Sequence, residues 1–259
     1  MMLTSGAGRA RIAAATAVVG AVAALTAGVA AGQGAPSADR GTAAVSPVPG
    51  NTAPGNTPRQ GPARTYTVTA PVRALVVTTS PLGGTITITG SRRSTVQITV
   101  RASYFTAPPH LEQSLSRGTL TLGYTCADCG VSYDIKVPRG IRVDATAYRG
   151  GLTLSSLVGD VTAYTGTGNL TGINLSCQSA VFRDDLGDIS VSYSSPPALI
   201  RATGSNASIT IRVPDDVGYD VHASHADITV RRSRTAAHVI DAQSGRGPIR
   251  ILGVIPGSS

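Results

Sequence analysis

Cys126-Ala127-Asp128-Cys129 is the segment of this chain best equipped for chemistry. Two thiols at that spacing can ligate zinc, exchange disulfides or close on each other. A zinc site needs a second ligand pair at comparable spacing, and neither another Cys-x-x-Cys nor a suitable His pair accompanies this one. A redox centre places its first thiol at a helix N-terminus. Here Leu120-x-Leu122-x-Tyr124 precedes the motif and Val131-x-Tyr133-x-Ile135 follows it. Alternation on both sides predicts that the motif tips a hairpin. The expected product in an oxidising compartment is a structural disulfide, with Cys177 left as an odd, buried thiol.

Carboxylates are the next candidates. Asp184, Asp185 and Asp188 fall near one corner, and Asp215, Asp216 and Asp220 near another. Glycan cleavage needs paired carboxylates, or carboxylates with a divalent cation and a base, converging on one groove. Solvated corners account for such clusters without a metal, so Asp184, Asp185 and Asp188 are weak metal candidates only. His222 and His225 are three residues apart in a segment of strand and bend, while His110 and His238 are isolated, so no histidine metal site is expected. Asn169, Asn174 and Asn206 begin Asn-x-Ser/Thr sequons, which matter only in a glycosylating host. No phosphate loop, nucleotide fingerprint or flanked Ser-His-Asp set is present. The expectation is therefore no catalytic residue and no cofactor.

The elements that would hold these residues are legible in the composition. Glu112 and Lys136 are the only Glu and Lys among 259 residues, whereas Thr, Val, Ile and Gly abound. That balance disfavours helices and favours strands. The net charge of +8 divides into +3 for residues 1–63 (four Arg less Asp39) and a remainder of +5. Apart from Arg92-Arg93 and Arg231-Arg232-Ser233-Arg234 the basic residues are scattered, and Trp is absent. Nucleic-acid binding usually needs a concentrated basic stripe and stacking aromatics, so it is not expected. An anionic envelope polymer suits a mild positive excess better.

Arg9 and Arg11 precede an apolar stretch from Ile12 to Ala31 that ends on small residues such as Gly28-Val29-Ala30. This is the progression of a secretory signal, and twenty residues also suffice for an uncleaved membrane anchor. Residues 32–64 hold six Pro and six Gly and repeat Pro-Gly-Asn-Thr at 49–52 and 54–57. Such a segment is expected to be a disordered tether, leaving residues 65–255 as one extracytoplasmic domain.

Within that domain the dominant signal is a repeat. Val143-x-Ala145, Val161-x-Ala163, Ile200-x-Ala202, Val221-x-Ala223 and Ile240-x-Ala242 share a triplet, with Val181-x-Arg183 in the remaining slot. Their first positions are 18, 20, 19, 21 and 19 residues apart. A second strand follows each, as in Leu152-x-Leu154, Ile189-x-Val191, Ile209-x-Ile211 and Ile249-x-Ile251, with Gly, Asn or Asp between. Units of two short strands bury an apolar face only by stacking, so a single-domain β-solenoid like a right-handed parallel β-helix is expected, with an N-terminal strand or hairpin cap. A β-sandwich is the alternative. Val137-Pro138 and Val213-Pro214 each precede a triplet, and proline there marks a strand ending at a corner.

The order Cys126-x-x-Cys129-x-Val131-x-Tyr133, Val137-Pro138-x-Gly140, Gly159-Asp160-Val161, Gly187-Asp188-Ile189-x-Val191 and Tyr219-x-Val221 resembles the bacterial putative-adhesin domains of unknown function. These are Gly-Asp repeat proteins grouped with the pectate-lyase-like β-helices. Asn169, Asn206, Ala226-Asp227 and Gly247-Pro248 depart from the Gly-Asp pattern. The resemblance implies an extracytoplasmic, adhesin-like protein, and the lack of a recognisable catalytic arrangement makes a non-enzymatic surface or envelope module the expected function. Its Thr/Ser-rich faces would meet glycan or another envelope partner, and the membrane would be touched only through the N-terminal segment. The alternatives are a polysaccharide lyase or hydrolase on a β-helix and an envelope-stress or peptide-sensing module.

Overall fold

The computed structural model describes residues 57–80 and 82–255. The export segment 1–31 and most of the tether 32–64 lie outside the described residues. Among the described residues no helix is long and apolar enough to cross a membrane, and every element is a strand. In chain order these are β1 (Arg59–Gln60), β2 (Arg64–Val68), β3 (Ala74–Thr79), β4 (Ile86–Ser91), β5 (Val96–Tyr104), β6 (His110–Ser116), β7 (Thr119–Thr125) and β8 (Cys129–Pro138). Then follow β9 (Arg142–Arg149), β10 (Leu152–Ser155), β11 (Val161–Thr167), β12 (Leu170–Leu175), β13 (Ser179–Leu186), β14 (Asp188–Tyr193), β15 (Leu199–Gly204) and β16 (Ser208–Pro214). The last four are β17 (Asp220–Ala223), β18 (Ala226–Ile228), β19 (Val239–Ser244) and β20 (Ile249–Val254).

Two large mixed sheets enclose one cluster of buried side chains. Sheet I runs β1-β5-β8-β4-β10-β12-β14-β16-β20-β18, with β2 also beside β5. Sheet II runs β17-β19-β15-β13-β11-β9-β3-β7-β6. Antiparallel pairing is confined to β1, β2 and β5 with their neighbours and to β6 with β7. From β9 to β16 consecutive strands alternate between the sheets, and each of β9 to β14 pairs in parallel with the strand two further along. All-β architecture is thus as expected; two sheets around a shared core suit a sandwich and a two-faced coil equally.

Strand alternation puts every second residue into that core. In sheet I, Ile86, Leu152, Leu170, Ile189, Ile209 and Ile249 occupy one inward column in register, and all are buried. In sheet II the corresponding columns are Leu75–Val143–Val161–Ala180–Ile200–Ile240 and Val77–Ala145–Ala163–Phe182–Ala202–Ala242. Phe182 is fully buried between two alanines, a large side chain filling the space that small neighbours leave.

Three expectations are corrected. First, the slot expected for Val181-x-Arg183 is filled by Ala180-x-Phe182, because Ala180 pairs with Val161 and Ile200. A shift of one residue turns Val181 and Arg183 outward. Second, β7 lies in sheet II and β8 in sheet I, so the Cys motif tips no hairpin; it is a corner where the chain crosses between sheets. Third, ordered pairing starts at Arg59, opposite Tyr104, ahead of the domain boundary expected at Thr65.

Strand order in the sheets also departs from chain order. β3 and β4 stand between β7/β8 and β9/β10, and β19 and β20 stand between β15/β16 and β17/β18. The chain therefore steps over one pair of strands twice. Val137-Pro138 leads from β8 across β3/β4 into β9, and Val213-Pro214 leads from β16 across β19/β20 into β17. The duplicated Val-Pro marks both steps. The Pro138 carbonyl accepts the amide of Ile141 at 3.2 Å, and the Pro214 carbonyl accepts the hydroxyl of buried Tyr219 at 2.8 Å.

Candidate functional site

Residues between the inward positions of sheet I form its outer face, and there the sequence places hydroxyls. Thr87 is in register with Thr153, Thr153 with Thr171, Thr171 with Ser190, and Ser190 with Thr210. Five half-exposed hydroxyls thus stand in one row across five strands, spanning about 19 Å at ~4.8 Å per strand. Asp134 and Arg250 stand at the two ends of the row. Beside it Thr89 and Ser155 are also in register, and the Ser155 hydroxyl donates to Thr89 Oγ1 at 3.1 Å. Each hydroxyl both donates and accepts, so the row presents evenly spaced, uncharged hydrogen-bonding groups. β-branched threonine also favours the strand conformation that aligns it.

Cys126 and Cys129 are joined as a disulfide across the corner between β7 and β8. The bridge ties a crossing between sheets rather than the register of a hairpin. Its loop is much shorter than the fifteen residues for which ~3 kcal/mol is expected, so its contribution is modest. Exchanging both cysteines for serine should lower Tm by a few degrees and leave the β-type circular dichroism intact. Thiol titration of the unfolded, non-reduced chain should find one group, and three would show that the bridge is not formed. Cys177 is buried between β12 and β13, where burial pushes its thiol pKa up, and its Sγ lies 3.7 Å from the Tyr193 hydroxyl. Those surroundings hold it as an unreactive thiol.

The Asp184, Asp185 and Asp188 carboxylates are not brought together. Asp184 and Asp185 are successive residues of β13 and point to opposite faces; Asp188 begins β14 and accepts the Ser208 amide at 3.3 Å. Asp185 accepts the Tyr164 hydroxyl at 2.7 Å, a bond that raises the Tyr164 pKa. Asp184 is buried rather than solvated, at 1% exposure. Neither carboxylate oxygen has a hydrogen-bond partner of proper geometry, although the Thr165 hydroxyl and the Leu186 amide lie close enough to favour the charged form. Burial prevails and pushes the Asp184 pKa up. Asp215 accepts the Arg231 amide, and Asp220 lies 3.3 Å from the exposed His222. The His238 ring meets the Pro197 carbonyl, and the backbone of His225 turns at φ 55°. Among the described residues no three His, Cys, Asp or Glu side chains gather where they could hold a metal ion.

A pair of tyrosines escaped the sequence reasoning. Tyr148 and Tyr164 stand on the outer face of sheet II with ring centroids 6.0 Å apart and planes at 77°. Each follows a buried alanine, Ala147 or Ala163, and Ala163 belongs to the repeated triplet, which was the available signal.

Fold and faces together define an all-β protein of two large mixed sheets, with a row of aligned hydroxyls on the outer face of sheet I. No protein family and no curated protein matches the chain. Among solved structures it is similar to a putative cell adhesion protein from Clostridium sporogenes, with 15% identity over 75% of this chain and 99% of that one, at a TM-score of 0.35. It is also similar to a putative adhesin from Bacteroides fragilis, with 15% identity over 74% and 97% and a TM-score of 0.41. Another, from Parabacteroides merdae, shares 13% identity over 74% and 97% at a TM-score of 0.27. Likeness at that level establishes neither family nor function.

Proposed function

We propose that this chain is an exported, tethered, non-enzymatic surface module, adhesin-like in that it holds an envelope glycan against a flat face. The observation that carries this is the row Thr87–Thr153–Thr171–Ser190–Thr210. Hydroxyls repeated at the strand spacing suit a polymer that repeats its own hydroxyls, since many weak hydrogen bonds act together when their spacing matches. Export is supported by the progression from Arg9 to Ala31 and by the Pro/Gly tether that follows. The alternation of β9 to β16 between the sheets supports a β-solenoid, in which each coil contributes one strand and one hydroxyl to the face.

The test is sedimentation of the full chain with envelope material from its host, before and after enzymatic removal of glycan. Exchange of Thr87, Thr153, Thr171 and Thr210 for valine keeps side-chain shape and strand preference while removing the hydroxyls. Binding should be lost in that variant and after glycan removal, with Tm unchanged. Equal binding by both forms of the protein would overturn the role of this face. The chain recovered from the host should begin near Ala31 or remain intact in membranes; the intact chain in the soluble cytoplasm would overturn export.

A further inference from the structure

The outer face of sheet II carries a feature of a different kind, a groove of about 450 Å3 at its β6 end. Its centre is Gly123 on β7, opposite Glu112 on β6. Glycine leaves a notch there, for a Cβ at that position would meet nothing within 4 Å except Glu112 Oε2, at 3.9 Å. Thr78 lies on the neighbouring strand β3, directly after Val77, whose partner Leu122 precedes Gly123. The far wall is the ring of Tyr148, which is 44% exposed. That ring is held before any ligand arrives: Tyr164 meets it edge-on, and the Tyr164 hydroxyl is fixed by its 2.7 Å bond to Asp185.

The chemistry of these walls is selective. Glu112 is exposed and is the only glutamate of the chain, and no Lys or Arg lines the groove. A phosphate or carboxylate ligand would meet a negative charge with no compensating cation. A single carboxylate is too few ligands for a divalent cation. What remains suited is an uncharged ligand with hydroxyls to donate and an apolar face to lay on an aromatic ring. Sugars have both.

We propose that this groove binds one residue of a neutral saccharide. Vicinal hydroxyls donate to the two oxygens of Glu112, and Thr78 supplies a further hydroxyl contact. A C–H face of the sugar ring lies on Tyr148, and because Tyr148 is held by Tyr164, little side-chain freedom is lost on binding. The groove shares its ligand class with the hydroxyl row of sheet I but lies on the other sheet and uses none of the same residues, so either can fail alone.

The experiment is NMR titration of the full chain with glucose, galactose, mannose and N-acetylglucosamine as separate probes. At least one should shift the Gly123 and Tyr148 resonances in a saturable way. Tyr148→Ala and Glu112→Gln should each weaken that binding by about tenfold or more. Tyr164→Phe, which cuts the bond to Asp185, should weaken it less, and Thr162→Ala, elsewhere on the same face, should leave it unchanged. The fourfold threonine-to-valine variant of sheet I should bind these sugars as the wild type does. Absence of saturable shifts with all four sugars would overturn the proposal, as would wild-type affinity in folded Tyr148→Ala and Glu112→Gln proteins.

Discussion

Gly168→Ala is expected to destabilise the protein by about 3 kcal/mol or more, while Gly151→Ala changes stability by less than about 1 kcal/mol in either direction. Gly168 lies where β11 of sheet II gives way to β12 of sheet I, at a φ of 138° that side-chain-bearing residues rarely adopt. A Cβ there would also run into the Gly150 carbonyl, with the carbonyl carbon at 2.6 Å. The obstacle is backbone, so no rotamer change relieves it. Gly150 is placed likewise against Gly84, and Gly187 against Gly168, so one column of glycines lets successive corners lie on one another. Moving one corner to admit a methyl group would displace the strands paired on both sides. Gly151 is the contrast: its Cβ would find only the Asn169 carbonyl, at an ordinary 3.6 Å. Urea unfolding of both variants checks the pair. Equal midpoints for Gly168→Ala and wild type would show that the corners do not press on each other as described.

Corner glycines, alternation and a repeat of about nineteen residues were all legible in the sequence, because each is local. Partner choice was not. Val221-x-Ala223 and Ile240-x-Ala242 both fit beside Ile200-x-Ala202, and the triplets alone do not say which strand takes that place. Length decides it. β19 and β20 have six residues each and are paired on both sides, whereas β17 and β18 have four and three and end their sheets. Short strands make poor templates for further pairing, which suits an edge. The duplicated Val-Pro was visible, but its meaning as a step over a strand pair depends on strands that lie distant in the chain.

The register of β13 turned on a subtler contest. With Val181 inward, Arg183 would also point into the core; with Ala180 and Phe182 inward, Asp184 does. Either choice buries an ionisable group. A carboxyl can shed its charge by taking up a proton, whereas a guanidinium stays charged at any pH a protein meets. The structure buries Asp184 and leaves Arg183 exposed. The candidate face was half legible for a related reason: hydroxyls at alternate positions announced a polar surface, but their alignment into a row required the register between strands.

That contest fixes the sign of a pH dependence. Asp184 stands in an inward column with Ala147, Thr165 and Gly204, and its pKa is raised, first by burial and further by Asp185 and Asp188. Above the ordinary aspartate value of about 3.9 the unfolded chain gives up this proton while the folded chain keeps it. The folded state then binds more protons, so stability falls as pH rises through the raised value and levels off beyond it. Each unit of upward displacement corresponds to about 1.4 kcal/mol. Asp184→Asn removes the titration but retains a polar side chain of similar size. Its own cost of burial is independent of pH, so the difference between variant and wild type isolates the linkage from that of the other carboxylates. In urea unfolding between about pH 4 and 8, that difference should move steadily in favour of the asparagine protein as pH rises and then become constant. A difference that stays flat across the range, or moves the other way, would show that Asp184 does not keep its proton in the folded core.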